Sequence, residues 1–371
     1  VNANITSTGG NIYLYAGDDI IQSTGTWIQT QTTGKTVTLT ASYFDQDNHG
    51  GINSTGAIQT NNGDINISAK DNIALNSVNA NAGNMEINST SGAITATALT
   101  ANNLDASAED GINVSNSALN TLTANVTETG DITFGNEGGQ ITLTSVQTPN
   151  GDISITAGGD ILVTYVSAID HQVSLTSSGG GILDNNATAT NDIFADNLII
   201  SAVTGIGSTD ALETEVGKLA AQVTAAGTGN IKIINTGDLV LDNLAGWGYA
   251  VKNNGTGTID ITVMSNLTVD DPVISSGGNI ILTANSGAII QNATGDITTG
   301  NGNFIGNASG PYQMADGAII NTTNGTIDID AGGDITIGQL KSYSTVFLNS
   351  GGAILDGGDT GGEDIQASAA E

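Results

Sequence analysis

NGDISITAGGDILVTYVSAIDHQVSLTSSGGGILD, residues 150–184, holds the plan of the whole chain. From residue 324 the chain reads NGTIDIDAGGDITIGQLKSYSTVFLNSGGAILD, ending at 356. Ile161 and Ile335 match at an offset of 174, and Ile182 and Ile354 at 172, so two residues are lost between them. The match runs on, since Asp192 and Ile193 correspond to Asp364 and Ile365. Both copies alternate short apolar zigzags with glycine corners. This is a structural plan, not a catalytic one.

The commonest corner is Gly, then Asp or Asn, then a large aliphatic, as at Gly10, Gly63, Gly130, Gly151, Gly278 and Gly333. A sister form, Gly-Ala-Ile, occurs at Gly56, Gly92, Gly287, Gly317 and Gly352. Glycine permits positive φ at a sharp bend, and Asp or Asn can bond its own backbone in the adjoining turn. After each corner the apolar residues sit two apart, as in Ile65 and Ile67, Ile153 and Ile155, Ile280 and Leu282. A period of two places one face inward and one outward on a β-strand. Runs of three to five residues cannot hold a sheet alone and must lie on neighbours of the same shape. Corners recur about every 20 residues, the signature of a β-solenoid. The expected fold is all-β: a single array over 1–371, wound as a right-handed parallel β-helix. At an inter-strand spacing of about 4.8 Å, roughly 17 or 18 coils would make a rod about 80–90 Å long.

Composition narrows the function. The 371 residues carry a net charge of −31, with six Lys and Arg residues together, all of them Lys. Nucleic-acid binding needs cations to displace counterions from phosphate and is disfavoured. Docking on an anionic membrane is disfavoured for the same reason. The acidic charge implies solubility, with divalent-cation binding as the alternative. Aromatic residues are only 4 %, so Ile, Val and Leu must fill the interior. The absence of Cys excludes disulfides and thiolate metal sites. No apolar run approaches the ~18 residues of a membrane-spanning helix. The chain begins without Met, and a third copy of the long repeat would be starting where it ends, which reads as a piece of a longer array.

Three stretches depart from the pattern. Residues 24–51, with Trp27, Tyr43 and Phe44, are expected to bulge from one coil, their aromatics covering an apolar side or stacking on a sugar ring. In residues 210–223, Leu212, Val216, Leu219 and Val223 are spaced 4, 3 and 4, and Asp210 with Glu213 offers a capping pair. That spacing predicts a short flanking helix, with Gly217 weighing against it. Trp247 and Tyr249, each preceded by Gly, form a protruding loop and are the expected ligand or partner contact.

Catalytic chemistry is thinly represented. The acid pairs Asp18–Asp19 and Asp270–Asp271 could in principle serve glycoside hydrolysis. Neighbours on a strand point to opposite faces, and both pairs read more simply as solvated corner residues. His49 and His171 lie in unrelated coils, which leaves no histidine triad or cluster. Asp45 and Asp47, in DQDNHG, resemble the first half of a calcium loop that lacks its bidentate acid, since Gly56 stands at the twelfth position. Asp45 and Asp47 remain the calcium candidate, and no other cofactor is expected.

GDISITAGGDI at 151–161 and GNIILTANSGAII at 278–290 resemble the repeats of filamentous-haemagglutinin-type adhesins, the large exoproteins of bacterial two-partner secretion. AVTGIGSTDALETEVGKL at 202–219 and GNIKIINTGDLVL at 229–241 are similar to segments of such surface proteins. The resemblance implies a parallel β-helix, export by an outer-membrane partner, and a place in extracellular attachment or fibre formation. The expected function is therefore a non-catalytic stalk segment of a cell-surface adhesin, facing a host or neighbouring-cell glycan or protein. The alternatives are a β-helical polysaccharide-active enzyme and a filament subunit that stacks end to end. Parallel β-helical enzymes that resemble pectate lyases rely on an Arg, and this chain has none.

Overall fold

The structure, a computed structural model, describes residues 1–43, 49–186, 188–358, 360 and 362–370. Among these the chain is strand and turn throughout, with no helix. It forms two compact units, residues 1–174 and 175–371. Each is a parallel β-solenoid, in which strands stack in parallel on those of the coil before, with local register shifts after Ser54, Val114 and Leu122.

In the first unit one row of inward side chains runs Ile20, Ile52, Ile73, Ile94, Ile112, Ile132 and Ile153, each the direct partner of the next. From Ile52 onward the steps are 21, 21, 18, 20 and 21 residues. A second row runs Ile12, Val37, Ile65, Met85, Leu104, Leu122, Leu143 and Val163. Beyond the first coil these side chains are almost wholly buried. β-branched residues suit this packing because their restricted χ1 already matches the pleated surface. Burying one such side chain contributes roughly 1.5–3 kcal/mol, and the contribution recurs with every coil.

The second unit has three strand rows. One contains Ile231, Ile259, Ile280, Phe304, Ile327 and Val346. Another contains Leu239, Leu267, Ile289, Tyr312, Ile335 and Ile354. The third contains Val251, Val273, Ile297, Ile320, Leu340 and Ile365. Phe304 and Tyr312 meet edge to face, with ring centroids 6.4 Å apart. Gly306 makes room for them: a Cβ there would lie 2.7 Å from the Tyr312 ring.

The corners divide: Gly130, Gly237 and Gly317 take the expected positive φ, and one series of corners works differently. Gly229, Gly257, Gly278, Gly302 and Gly325 have no left-handed backbone. What demands glycine is the coil below. A Cβ on Gly257, Gly278, Gly302 or Gly325 would stand 1.9, 1.9, 2.0 or 1.9 Å from the carbonyl oxygen of the preceding glycine in this series. Beside that glycine ladder runs a buried polar one: Asn253, Ser275, Thr299, Thr322 and Ser342, in register. Asn253 Nδ2 donates to Gly257 O, Thr322 Oγ1 to Gly325 O, and Ser275 Oγ accepts from Gly278 N. Buried corner amides and carbonyls are thereby satisfied. The corner Asp or Asn bonds the neighbouring coil: Asp64 Oδ1 accepts from Asn84 N, Asn279 Oδ1 from Asn303 N, and Asn303 Oδ1 from Thr326 N.

Two expectations fail. Residues 212–223 are a twelve-residue strand, not a helix. Ile193 pairs with Thr214, Leu198 with Leu219 and Ala202 with Val223. The 4-3-4 spacing arises because this long strand rounds the coil, so its alternation slips: Gly217 and Lys218 both face out, while Ala220 and Ala221 both face in. Gly217 would cost an isolated helix about 1 kcal/mol. Strand partners on both sides settle the outcome, since most helix stability comes from tertiary packing. Likewise, the described part of residues 24–51 is not one bulge, and Phe44 lies outside the described residues. Trp27–Thr30 and Val37–Thr40 are ordinary coil strands, in register with Ala57–Gln59 and Ile65–Ser68.

Candidate functional site

The expected site residues do not converge. Asp45 and Asp47 lie outside the described residues. Trp247 and Tyr249 sit on the loop between strands Leu239–Leu241 and Val251–Asn253, both half-buried, with their rings 5.9 Å apart. Tyr249 Oη donates to Gln222 Oε1 at 2.7 Å, Lys252 Nζ lies 5.1 Å from its ring centre, and burial raises its phenol above the ordinary range. The tyrosine's polar end is thus already engaged by its own chain. Asp19 Oδ1 accepts from Gly51 N, Asp270 Oδ1 from Asn292 Nδ2 and Asp271 Oδ2 from Asn243 N, so one member of the first pair and both of the second serve links between coils. His49 lies 3.4 Å from Asp71, and His171 accompanies Asn150 and Asp152.

A different group does converge. Asp184 ends the strand Ile182–Asp184, Asp192 immediately precedes the strand Ile193–Ala202, and Glu213 is the second residue of Leu212–Val223. Because Ile193 pairs with Thr214, Asp192 and Glu213 fall at one level in adjacent coils. Asp192 N donates to Glu213 O at 2.8 Å, and Glu213 N donates to Asp192 Oδ2 at 3.1 Å. The other Asp192 oxygen accepts from Asn186 Nδ2, and Asn186 N donates to Asp184 Oδ1 at 2.7 Å. One oxygen from each of the three carboxyls lies within 4.8 Å of the others.

These acids are not solvated corner residues. Asp192 is 0 % exposed and Glu213 7 %, while Asp184 is half-buried. Glu213 Oε2 is enclosed and has no hydrogen-bond partner. Burial, reinforced by the charges of Asp184 and Glu213 and opposed by the Glu213 amide, pushes the Asp192 carboxyl up to about 8. The Glu213 carboxyl is raised too, by burial first and then by the charges of Asp184 and Asp210. Desolvation and like charge act in the same direction here. A catalytic acid must reach the bond it protonates. Asp192 has no exposed surface, so a polysaccharide chain cannot touch it. What the enclosed pair Asp192 and Glu213 can do is hold a proton or a cation.

On the first unit, a surface groove of about 470 Å³ crosses five coils. Its lining includes Thr24, Asn53, Asn76, Thr97, Asn113 and Ser115, and contains no titratable side chain. It offers hydroxyls and amides but no acid–base pair.

No family model, curated protein or solved structure matches the chain.

Sequence reasoning missed the acid group because its members are 8 and 21 residues apart and only the coil stacking unites them. One signal was present. Ile-Leu-Asp, seven residues, then Asp-Ile occurs at 182–193 and again at 354–365.

Proposed function

We propose that the chain is a structural stalk segment of an extracellular surface fibre of the adhesin kind, a non-catalytic spacer that carries a binding region away from the cell. The observation that supports this reading is the continuity of the apolar rows within each unit, each residue the partner of the next. Each coil buries its apolar face on the next, so length can be added without a new core. The acidic surface keeps such a surface soluble and discourages clumping. Export through an outer-membrane partner and attachment to a host or neighbouring cell belong to the same reading, and they rest on the resemblance of the repeats.

Excision of residues 73–93 tests it. That change removes one turn and sets Ile94 on Ile52 and Leu104 on Ile65. A spacer keeps its β-rich circular dichroism and a cooperative melt after the excision. Loss of folding, or polysaccharide turnover by the intact chain, would contradict the reading. Antibodies to the chain should label intact cells; labelling only after permeabilisation would contradict the location.

A further inference from the structure

We propose that Asp184, Asp192 and Glu213 form a binding site for calcium, which clamps the end of the strand Ile182–Asp184 to the start of Ile193–Ala202 and to the coil that follows. The inference is independent of the stalk reading.

Two observations carry it. The first is geometry. Three carboxyls from three separate strand ends bring their oxygens within 4.8 Å of one another. Oxygens around one calcium ion stand ~2.3–2.6 Å from it, so ligands on opposite sides are up to about 5 Å apart. Around magnesium, with bonds of ~2.0–2.1 Å, the corresponding span is about 4.2 Å. The donors are all carboxylate oxygens, which select a hard cation over zinc or copper.

The second is the orphaned oxygen. Glu213 is 7 % exposed, yet its Oε2 meets no donor. Buried carboxylates in native proteins are paired, hydrogen-bonded or metal-bound. Lysine is absent from the neighbouring charges that act on Asp192 and Glu213; those charges come from Asp184, Asp210 and the two residues themselves. A cation supplies the missing partner for Glu213 and offsets the repulsion among all three. The hydrogen bonds already present hold the site open for it. Asn186 Nδ2 and Glu213 N each occupy an Asp192 oxygen, which fixes that carboxyl's orientation. Asp184, half-buried, gives the site an edge through which an ion can enter and keep part of its water.

The test is calorimetric titration of calcium into the full chain after chelator treatment, compared with the double variant Asp192→Asn, Glu213→Gln. The intact chain should show a calcium isotherm that the variant lacks. Calcium at 100 times its Kd should raise the folded-to-unfolded ratio about 100-fold in the intact chain alone. Magnesium at equal concentration should give a clearly smaller effect. The variant removes like charge, so circular dichroism should show it folded in chelator. Should it not fold, Asp184→Asn, at the half-buried edge, replaces it and should weaken calcium binding at least tenfold. Equal calcium binding by the intact and variant chains would overturn the proposal, assigning the heat to surface acids. No calcium effect on the intact chain's melting would overturn it as well, and so would an equal response to magnesium.

Discussion

The corner at Gly229–Gly325 and the corner at Asp184–Glu213 belong to the same unit and solve the same problem in opposite ways. At the first, a bend of backbone must pass close over an identical bend. Glycine removes the side chain, and a buried Asn, Ser or Thr beside it satisfies the corner's polar groups, coil after coil. At the second, one half-buried and two buried carboxyls meet with an unpartnered oxygen among them. Repetition lets a corner satisfy itself from within the chain. Where repetition lapses, the chain holds charge that its own groups do not neutralise, and that is where a ligand has something to contribute.

The ladder is the easier side of the comparison to break. Gly278→Ala drives a Cβ to 1.9 Å from the Gly257 carbonyl oxygen. Only backbone movement can relieve that contact, and the expected loss is about 4 kcal/mol in denaturant unfolding. Gly227→Ala is the control. A Cβ there meets nothing within 4 Å, and the change should stay within about 0.5 kcal/mol. Equal effects at the two positions would show that close approach is not what requires glycine. Ile112→Ala, in the middle of the first unit's isoleucine row, should cost about 3 kcal/mol by the same measurement.

The acid corner should respond instead to pH. In the metal-free folded chain Asp192 keeps a proton that the unfolded chain releases near 3.8, because its carboxyl is pushed up to about 8. Stability is then fully present below about pH 4 and declines as pH rises through about 8. The Glu213 carboxyl, raised by burial and by the charges of Asp184 and Asp210 at the same corner, adds to this trend. Denaturant melts in chelator from pH 4 to 9 should show the decline, and Asp192→Asn should flatten it. A profile unchanged by that substitution would place the titrating group elsewhere. A smaller loss belongs to Thr322→Val, which removes the Oγ1 bond to Gly325 O in a ladder that keeps its other rungs. Its expected cost is about 1 kcal/mol.

Much of this architecture was legible in the chain itself. Ile65 and Ile67, or Ile280 and Leu282, two apart after a Gly-Asp or Gly-Asn corner, already specify a zigzag with one face inward, and both faces fall as expected. The recurrence of corners every twenty or so residues dictates coils. What was not legible depends on contacts between coils. The role of Gly257 or Gly278 shows only when the preceding glycine is placed beneath it. Asp64 and Asn279 bond across coils rather than within their own turns for the same reason. The strand Leu212–Val223 was misread because rounding a coil breaks strict alternation, and the slip imitates a helical spacing. Asp184, Asp192 and Glu213 look like three ordinary acids until the register of Ile193 on Thr214 brings them together.

The most direct test is a distance across stacked coils in the first unit. Thr38, Asn66, Glu86, Asp105 and Thr123 follow one another in register, four coil steps from end to end. The chain has no cysteine, so Thr38→Cys and Thr123→Cys can carry two nitroxide labels and no others. Parallel stacking predicts a narrow distance distribution near four inter-strand spacings, about 19 Å. A broad distribution, or one centred beyond about twice that value, would contradict the stacked, parallel coil.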